Sequence, residues 1–558
     1  MSHHGEELVY LPLGGVGEIG MNLSLYGYGP PHAKKWLMVD CGVTFADFRT
    51  APGVDLILPD ISFIEEERAD LVGIVITHAH EDHYGALLDL WPRLRAPVFA
   101  TQFTAGLLKA KAIENGHRET PDVTVVEQGA TLDLSPFEVE LIRVSHSIPE
   151  PNALAITTPR GLVVHSGDWK IDPVPGVGEA IDTERFRRLG EEGILALICD
   201  STNATRAGRS PSEHDVAERL KEIVAGAPQR VAVTAFSSNV ARIRAIYEAA
   251  VAADRHVVVM GRAMRRVIEV ATDCGFMEGL PRFLSEDDYG HLPREKVLLL
   301  LTGSQGEDRA ALARIASDEH PRVALSVGDR VIFSSRTIPG NEKAVNQILN
   351  GLALQGIEVV TDGSDLVHTS GHPRRDELVD MYRWLKPRIL VPVHGEPVHL
   401  MAHAQLARDA GIPEVVVTEN GKMVRLAPDP AQVIDEVPHD VLLMDGRLLR
   451  SPEAANVRER RALAFAGIVT AVITLDDRFA LDDDPDVVLI GIPTRDDDGE
   501  TFREALIDEV ASAVESIPRH RRRDRDVVAK AARRAIRAHM AQRWGKKPVT
   551  HVFVVTID

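Results

Sequence analysis

Six consecutive residues, His78-Ala79-His80-Glu81-Asp82-His83, put three imidazoles and the Asp82 carboxylate into one short loop. His78 and His80 can face one ion while Asp82 and His83 turn toward a second, so the loop can seed two metal sites. Imidazole and carboxylate donors suit borderline divalent ions such as zinc or manganese. A lone histidine carries no such implication; four donors at this spacing, directly after a strand, do. The apolar run 71–76 reads as that buried strand, which sets Thr77 onward at its carboxyl end, where α/β folds place their chemistry. The same arrangement recurs with Asp40 after 36–39, His146 after 139–144 and Asp168 after 162–167. Taken singly, either aspartate could cap a turn and His146 could be a hydrogen-bonded loop histidine. Their common position after strands argues for one site.

The elements that must position these residues fall into three rhythms. Runs 8–13, 22–28 and 36–39 read as strands, and strands dominate from about 6 to 201, ending with 194–199 before Asp200. Glycines 14, 15, 17 and 20 lie between the first two strands. No Lys-Ser/Thr follows them, so a tight turn beneath the metal site is expected rather than a phosphate loop. After Arg209 helices and strands alternate. Ser212 can cap a helix to about 224; strands follow at 231–236, 256–260, 297–301, 330–333 and 357–361, with helices near 240–252, 264–271, 308–317 and 342–354. Such alternation builds a mostly parallel sheet covered by helices. Ser237, Ser238 and Asn239 stand at one strand-to-helix junction, where hydroxyls, amides and the helix dipole favour an anion; an ordinary helix cap would look the same.

Metal-type chemistry then resumes with His368-Thr369-Ser370-Gly371-His372, a helix over 376–385, a strand over 388–393, and His394-Gly395-Glu396. The alternating segment is therefore read as inserted rather than appended. Beyond about Pro428 a β-rich connector is expected, then strands at 466–475 and 486–493, helices at 500–516 and 526–544, and a last strand at 551–556. The expected division is 1–208 and 367–430 for the metal domain, 209–366 for the insert, 431–465 for a linker and 466–558 for a small α+β domain.

The H-x-H-x-D-H run resembles the signature of the metallo-β-lactamase superfamily, with Asp40, His146 and Asp168 in its order. Asp200, His372 and His394 resemble the motif A, B and C residues of its β-CASP nucleases. The run ending at Asn22, Phe236-Ser237-Ser238-Asn239, His368 to His372 and Val391-Pro392-Val393-His394-Gly395-Glu396 resemble the bacterial ribonuclease J family. The resemblance covers about 8–425 strongly and the tail weakly. It implies an α/β fold: a metallo-β-lactamase αββα sandwich with an inserted α/β β-CASP domain and a small α+β C-terminal domain.

It also implies a two-metal ribonuclease, a 5′-to-3′ exonuclease favouring 5′-monophosphate ends with internal cleavage besides, in RNA maturation and mRNA decay. His78, His80 and His146 would hold one ion and Asp82, His83 and His394 the other, with Asp168 bridging; zinc is the first expectation, manganese or magnesium the alternatives. Asp82, Asp200 and His372 form the catalytic set, Asp200 orienting a ligand imidazole and His372 protonating the leaving 3′ oxygen. Ser237, Ser238 and Asn239, with His368, Thr369, Ser370, Gly371 and His372, would hold substrate. The implied partners are single-stranded 5′-monophosphorylated RNA, a second copy in a homodimer or homotetramer, and RNA-degradation proteins, with no membrane.

Composition agrees with that reading in part. The chain is 558 residues, 44% hydrophobic and 26% charged, which fits two to four ordinary domains. No apolar run approaches the 18 residues a membrane helix needs, and residues 1–7 lack the basic and apolar regions of a signal peptide, so a cytoplasmic protein is expected. Three distant cysteines, Cys41, Cys199 and Cys274, make neither a disulfide framework nor a thiolate cluster. The net charge of −20 opposes a nucleic-acid partner. Local basic groups offset it: Arg206 with Arg209, Arg262 with Arg265 and Arg266, and Arg374 with Arg375, each equally readable as a solvated face, and Arg519 to Arg525, which reads first as one. Two other functions use the same core: a hydrolase of small esters, thioesters or lactams, which needs no long insert, and an inactive RNA-binding scaffold, which needs no complete set of seven ligands.

Overall fold

The computed structural model describes residues 5–46, 50–338 and 340–557; residues 1–4 of the segment read for a signal lie outside these. Two compact units divide the chain: 5–44 with 58–440, and 45–57 with 441–557.

The apolar runs of the first unit form two sheets. One has eight strands in the order Gln432–Glu436, Lys422–Ala427, Glu7–Gly14, Leu23–Gly29, Lys35–Val39, Leu71–Val75, Val98–Ala100 and Val123–Val125. The other has seven, in the order Glu414–Val415, Ile389–Val393, Ile194–Asp200, Gly161–His165, Asn152–Thr158, Phe137–Arg143 and Thr131–Leu134. Tyr10, Tyr26, Leu37 and Val75 of the first pack on Leu141, Leu154, Val163, Ile198 and Val391 of the second in one buried core. Strands buried on both faces read as unbroken apolar runs, and the second sheet's outer side shows why. There Ala153, Val164 and Leu197 meet Phe186, Leu189, Leu378, Met381 and Leu406 from helices Thr183–Glu192, Arg375–Leu385 and Pro397–Asp409.

Parallel pairing decides where loops emerge. Lys35–Val39 runs parallel to Leu71–Val75, so Asp40 and the His78 loop leave the sheet at one end. Gly161–His165, Ile194–Asp200 and Ile389–Val393 are parallel neighbours in the other sheet, so Asp168, Asp200 and His394 also emerge together. The strand ending before His394 thus closes the site more than two hundred residues after Asp168, and between Asp200 and that strand the chain from 231 to 360 carries a separate sheet.

That sheet is all parallel, in the order His256–Met260, Val297–Leu301, Val231–Thr234, Arg330–Phe333 and Glu358–Val360. Helix Glu213–Ala225 starts at Ser212, whose hydroxyl accepts from His214 N, and helix Val240–Ala252 starts at Asn239. The expected helix over 308–317 shortens to Ala311–Ala316.

In the second unit Asp486–Ile490, Ile468–Leu475 and Val549–Thr556 form a sheet whose inner residues Val469, Ala471, Ile473 and Leu475 pack on Leu506, Val510, Val528, Ile536 and Met540 of helices Phe502–Glu515 and Arg525–Arg543. Its second strand stops at Ile490 rather than 493 because Gly491 takes φ 71° and Pro493 follows. The span expected as a linker carries more structure than that reading gave it. Gln432–Glu436 is the edge strand of the eight-stranded sheet, Val441–Asp445 and Leu448–Arg450 make a hairpin, and Val457–Ala466 is a helix. Likewise, helices Leu87–Leu94, Gln102–Asn115 and Thr183–Glu192 interleave with the strands that dominated the reading of 6–201.

Candidate metal centre

Two groups of donors meet at the strand ends, each with atoms within 4.8 Å of one another: His78, His80, His146 and Asp168, and Asp82, His83, Asp168 and His394. These are the two sets expected from the sequence, with Asp168 common to both. In the first, His78 Nε2 and His146 Nε2 face His80 Nδ1 at 3.1 and 2.9 Å. In the second, His394 Nε2 lies 3.2 Å from Asp82 Oδ2, and His83 Nε2 3.2 Å from Asp168 Oδ2. A third group, Asp168, Asp200, His372 and His394, borders both.

Each imidazole of these sets but His80 is fixed by its other nitrogen. His83 Nδ1 bonds Asp40 Oδ2 at 2.7 Å, His78 Nδ1 the Thr77 hydroxyl at 3.0 Å, His146 Nδ1 the Gly371 carbonyl at 2.7 Å, and His394 Nδ1 the Thr202 hydroxyl at 2.8 Å. Partners of this kind set the tautomer and leave the inward nitrogen its lone pair. Asp40, held at φ 63°, also accepts from Thr77 N and its hydroxyl, so one buried carboxylate braces the whole His78 loop. The Gly14–Gly20 turn lies beneath: Gly15 O accepts from His394 N at 2.7 Å, and Asn22 Nδ2 donates to Asp82 O at 3.0 Å. A Cβ on Gly15 would stand 2.2 Å from Asn22 Oδ1, which explains the glycine and agrees with a turn rather than a phosphate loop.

The electrostatics fit a cation. Burial pushes His78 and His146 well below their ordinary values and His80 down to about 4, with neighbouring imidazoles adding to it. Three neutral rings thus turn lone pairs toward one point. At His83 and His394 burial opposes protonation but is outweighed by the carboxylates, above all Asp168, and His394 rises to about 9. Burial likewise works against ionisation of Asp82 and Asp168, yet the imidazoles beside them, His83 and His394 foremost, hold both below the usual carboxylate range. Asp168 Oδ1 is buried without a hydrogen-bond partner. Converging lone pairs and an orphaned carboxylate oxygen are costly in a dry site unless a cation joins them, so this donor set fits divalent metal.

Asp200 departs from its expected place. Its Oδ2 bonds His372 Nδ1 at 2.8 Å, whereas its Oδ1 lies 3.9 Å from His394 Nδ1 and accepts from Thr202 N at 2.8 Å. The imidazole it orients is His372; the ligand-type His394 is held by Thr202. At His372 burial is outweighed by Asp200 and Asp168, and its pKa is raised. Its side chain is 19% exposed, against 1% for His146 and 4% for His394, so it fronts the open side of the cluster.

The remaining expected residues divide. Ser237 and Ser238 are half-buried at the start of helix Val240–Ala252. Asn239 is buried and its Oδ1 accepts from Arg242 N at 2.9 Å, the helix-cap arrangement. Thr369 donates its hydroxyl to Pro211 O at 2.8 Å. Ser370 Oγ accepts from Asn203 Nδ2 at 2.9 Å and from His372 N at 3.3 Å, which leaves its own proton to donate. Gly371 approaches His146 so closely that a Cβ would lie 2.4 Å from its Nδ1. His368 Nδ1 is buried without a hydrogen-bond partner, its ring 6.5 Å from that of Phe236. Sequence reasoning missed Thr77, Thr202 and Asn203; the polar run Asp200-Ser201-Thr202-Asn203 directly after a buried strand was the available signal for the last two.

Fold and donor set together define a metallo-hydrolase of the metallo-β-lactamase type carrying an inserted α/β domain. Family profiles agree: metallo-beta-lactamase superfamily over 24–179, ribonuclease J beta-CASP domain over 228–352, Zn-dependent metallo-hydrolase RNA specificity domain over 356–417, and ribonuclease J C-terminal domain over 455–557. The chain is 57% identical over 561 residues to a ribonuclease J of Sinorhizobium meliloti, covering 100% of this chain and 99% of that one. It is 38% identical over 545 residues to a ribonuclease J of Corynebacterium glutamicum, covering 96% and 74%. A solved structure of a protein of unknown function from Enterococcus faecalis shares the fold at TM-score 0.51 and 17% identity, covering 75% of this chain and 100% of the other. The chain belongs to the ribonuclease J family. Among the described residues no helix is long and apolar enough to cross a membrane.

Proposed function

We propose that this protein is a two-metal ribonuclease that degrades single-stranded RNA stepwise from a 5′-monophosphate and also cuts internally. The observation that carries the reading is the pair of donor sets sharing Asp168, with the Asp200–His372 pair on their open side. His78, His80, His146 and Asp168 would hold one ion and Asp82, His83, His394 and Asp168 the second, zinc suiting the imidazole-rich sets best. Two such ions supply an activated water and offset charge on the phosphodiester oxygens.

The chain's own residues do the rest. Asp200 Oδ2 accepts the hydrogen bond from His372 Nδ1–H, so Nε2 is the ring nitrogen free to give a proton to the leaving 3′ oxygen. The amino end of helix Val240–Ala252, with the Ser237 and Ser238 hydroxyls, would receive the terminal phosphate on one side. The Ser370 hydroxyl offers a donor on the other. Short donors without an arginine cluster suit one phosphate, so a 5′-triphosphate would not seat and a 5′-hydroxyl would leave the donors unpaired.

The test is a time course on labelled RNAs that differ only at the 5′ end, with metal content measured. Mononucleotide release is expected to be fastest from the monophosphate, and to disappear in Asp168→Ala. Equal release from all ends would remove the phosphate pocket. Turnover of a lactam or thioester instead of RNA would move the protein to the small-substrate hydrolases of this fold.

A further inference from the structure

Arg242 is fully buried, and its partner Glu213 nearly so, at 0% and 3% exposed. A buried ion pair gains little stability over an apolar pair of the same volume, because desolvation offsets its attraction. What such a pair does provide is direction: the guanidinium is a rigid planar fork of donors. Here every arm is used. Nε and Nη2 donate to Glu213 Oε2 at 3.1 and 2.8 Å, and Nη1 to Ser334 O at 3.1 Å, Ser334 Oγ at 2.8 Å and Val367 O at 2.9 Å.

Those partners come from both sides of the phosphate pocket proposed above. Arg242 sits in the first turn of helix Val240–Ala252, next to Ser237 and Ser238, and its own N–H is capped by Asn239. Val367 immediately precedes His368, and its carbonyl accepts a second bond, from Ser334 Oγ at 2.7 Å. Glu213 in turn reaches toward the metal centre: its N–H donates to Asp172 Oδ2 at 2.8 Å, and Asp172 pairs with buried Lys170 at 2.8 Å, two residues beyond Asp168. The fork therefore spans helix start, strand end and the segment leading into His368 to Gly371, with a relay back to the metal loop.

We propose that Glu213 and Arg242 are positioning residues for recognition of the RNA 5′ end: their buried fork sets the gap between the Ser237–Ser238 side and the His368–Gly371 side of the phosphate pocket. The proposal rests on that pocket. The pair touches no substrate itself; it acts through the two segments it holds apart.

The test compares wild-type protein with Arg242→Lys, which keeps the charge but replaces the fork by a single ammonium on a shorter stem, and with Ser334→Ala, a milder change that removes the hydroxyl's bonds to Arg242 Nη1 and to the Val367 carbonyl. Two quantities are read: the rate ratio for RNAs ending in 5′-monophosphate and 5′-hydroxyl, and the ratio of affinities of metal-depleted protein for the same two ends on a short oligonucleotide. In Arg242→Lys both ratios are expected to fall by about tenfold or more as a fork of several charge-assisted bonds is lost, with Ser334→Ala intermediate. Internal cleavage of circular RNA and metal content should stay near wild type. Unchanged ratios in both variants would overturn the proposal. So would end-dependent and internal cleavage falling together with thermal stability, which marks a purely structural pair. Should Arg242→Lys not fold, Ser334→Ala decides alone. If wild-type protein itself ignores the 5′ end in both readouts, the pocket reading falls and this proposal with it, whereas preference kept in the variants overturns only the pair.

Discussion

Replacing Asp200 by asparagine isolates one hydrogen bond with little change of shape. Asp200 Oδ1 accepts from Thr202 N at 2.8 Å and Oδ2 from His372 Nδ1 at 2.8 Å. The introduced amide must keep its oxygen at the Thr202 N–H, which turns its NH2 group toward His372 Nδ1. A donor there forces Nδ1 to accept, so the ring becomes neutral with its proton on Nε2, a far weaker acid than the imidazolium that Asp200 and Asp168 favour. Exchanging a charge-assisted bond for a neutral one costs about 1.5 kcal/mol, roughly tenfold in rate. Losing the acid form as well brings the expected fall in kcat to about 10²-fold, within the range of general-acid catalysis. The assay is single-turnover cleavage of 5′-monophosphorylated RNA with metal content verified, repeated on a nitrophenyl phosphodiester whose leaving group needs no proton. The loss should appear on RNA and largely vanish on the nitrophenyl ester. Asp200→Asn with His372→Ala should be no worse than His372→Ala alone, since both remove one function. A full rate on RNA in Asp200→Asn, or two effects that multiply, would refute the assignment.

Gly371→Ala should weaken metal binding by about 10- to 100-fold, because its Cβ would displace His146 from the carbonyl that orients it; competitive chelator titration reads this directly. His403 is buried with Nδ1 on the Ser201 hydroxyl at 2.8 Å and Nε2 unpartnered, and burial holds its pKa at about 4. Its unfolded pKa being higher, near 6.5, the unfolded chain binds more protons between the two values. The stability it contributes is therefore complete above about pH 6.5 and lost as pH falls toward 4, by up to about 3 kcal/mol. Denaturant unfolding at pH 8 and pH 5 should show a smaller difference in His403→Leu than in wild type; an identical difference would refute this. Arg206 and Arg375, distant in sequence, are joined by Arg375 N to Arg206 O at 3.0 Å beside the His372 segment. Arg206→Gln with Arg375→Gln should lower the slope of log affinity for single-stranded RNA against log salt by about 1.4, near 0.7 for each phosphate no longer neutralised. No change in slope would make both solvated side chains.

Much of the site was legible because its donors announce themselves locally. His78 to His83 lie in one loop, and Asp40, His146, Asp168 and His394 each follow an apolar run, so residue type plus strand-end position sufficed to propose them. The insert was legible for a similar reason: alternating helices and parallel strands leave strong periodic patterns, and a histidine after a buried strand at 394 showed that the interrupted sheet resumes. Other basic groups changed meaning once neighbours were placed, since Arg265 pairs with Glu286 and Arg266 with Glu114. The helices Leu87–Leu94, Gln102–Asn115 and Thr183–Glu192 lie among strands whose apolar runs are the stronger local signal.

What only the tertiary structure decided is partnership. Nothing in the chain's order says that Asp200 serves His372 rather than His394, because both histidines reach it from afar and the choice is settled by which ring lies 2.8 Å away and which 3.9 Å. Thr202 as the partner of His394, and Gly371 as that of His146, are backbone and hydroxyl contacts with no motif of their own. The Glu213–Arg242 fork was equally silent: an arginine within a helix reads as surface until packing buries it against a carboxylate 29 residues away. Residue types determine which chemistry a chain can support, because donor identity is local. Which donor faces which is set by strand order and parallel register, and these are properties of the whole fold.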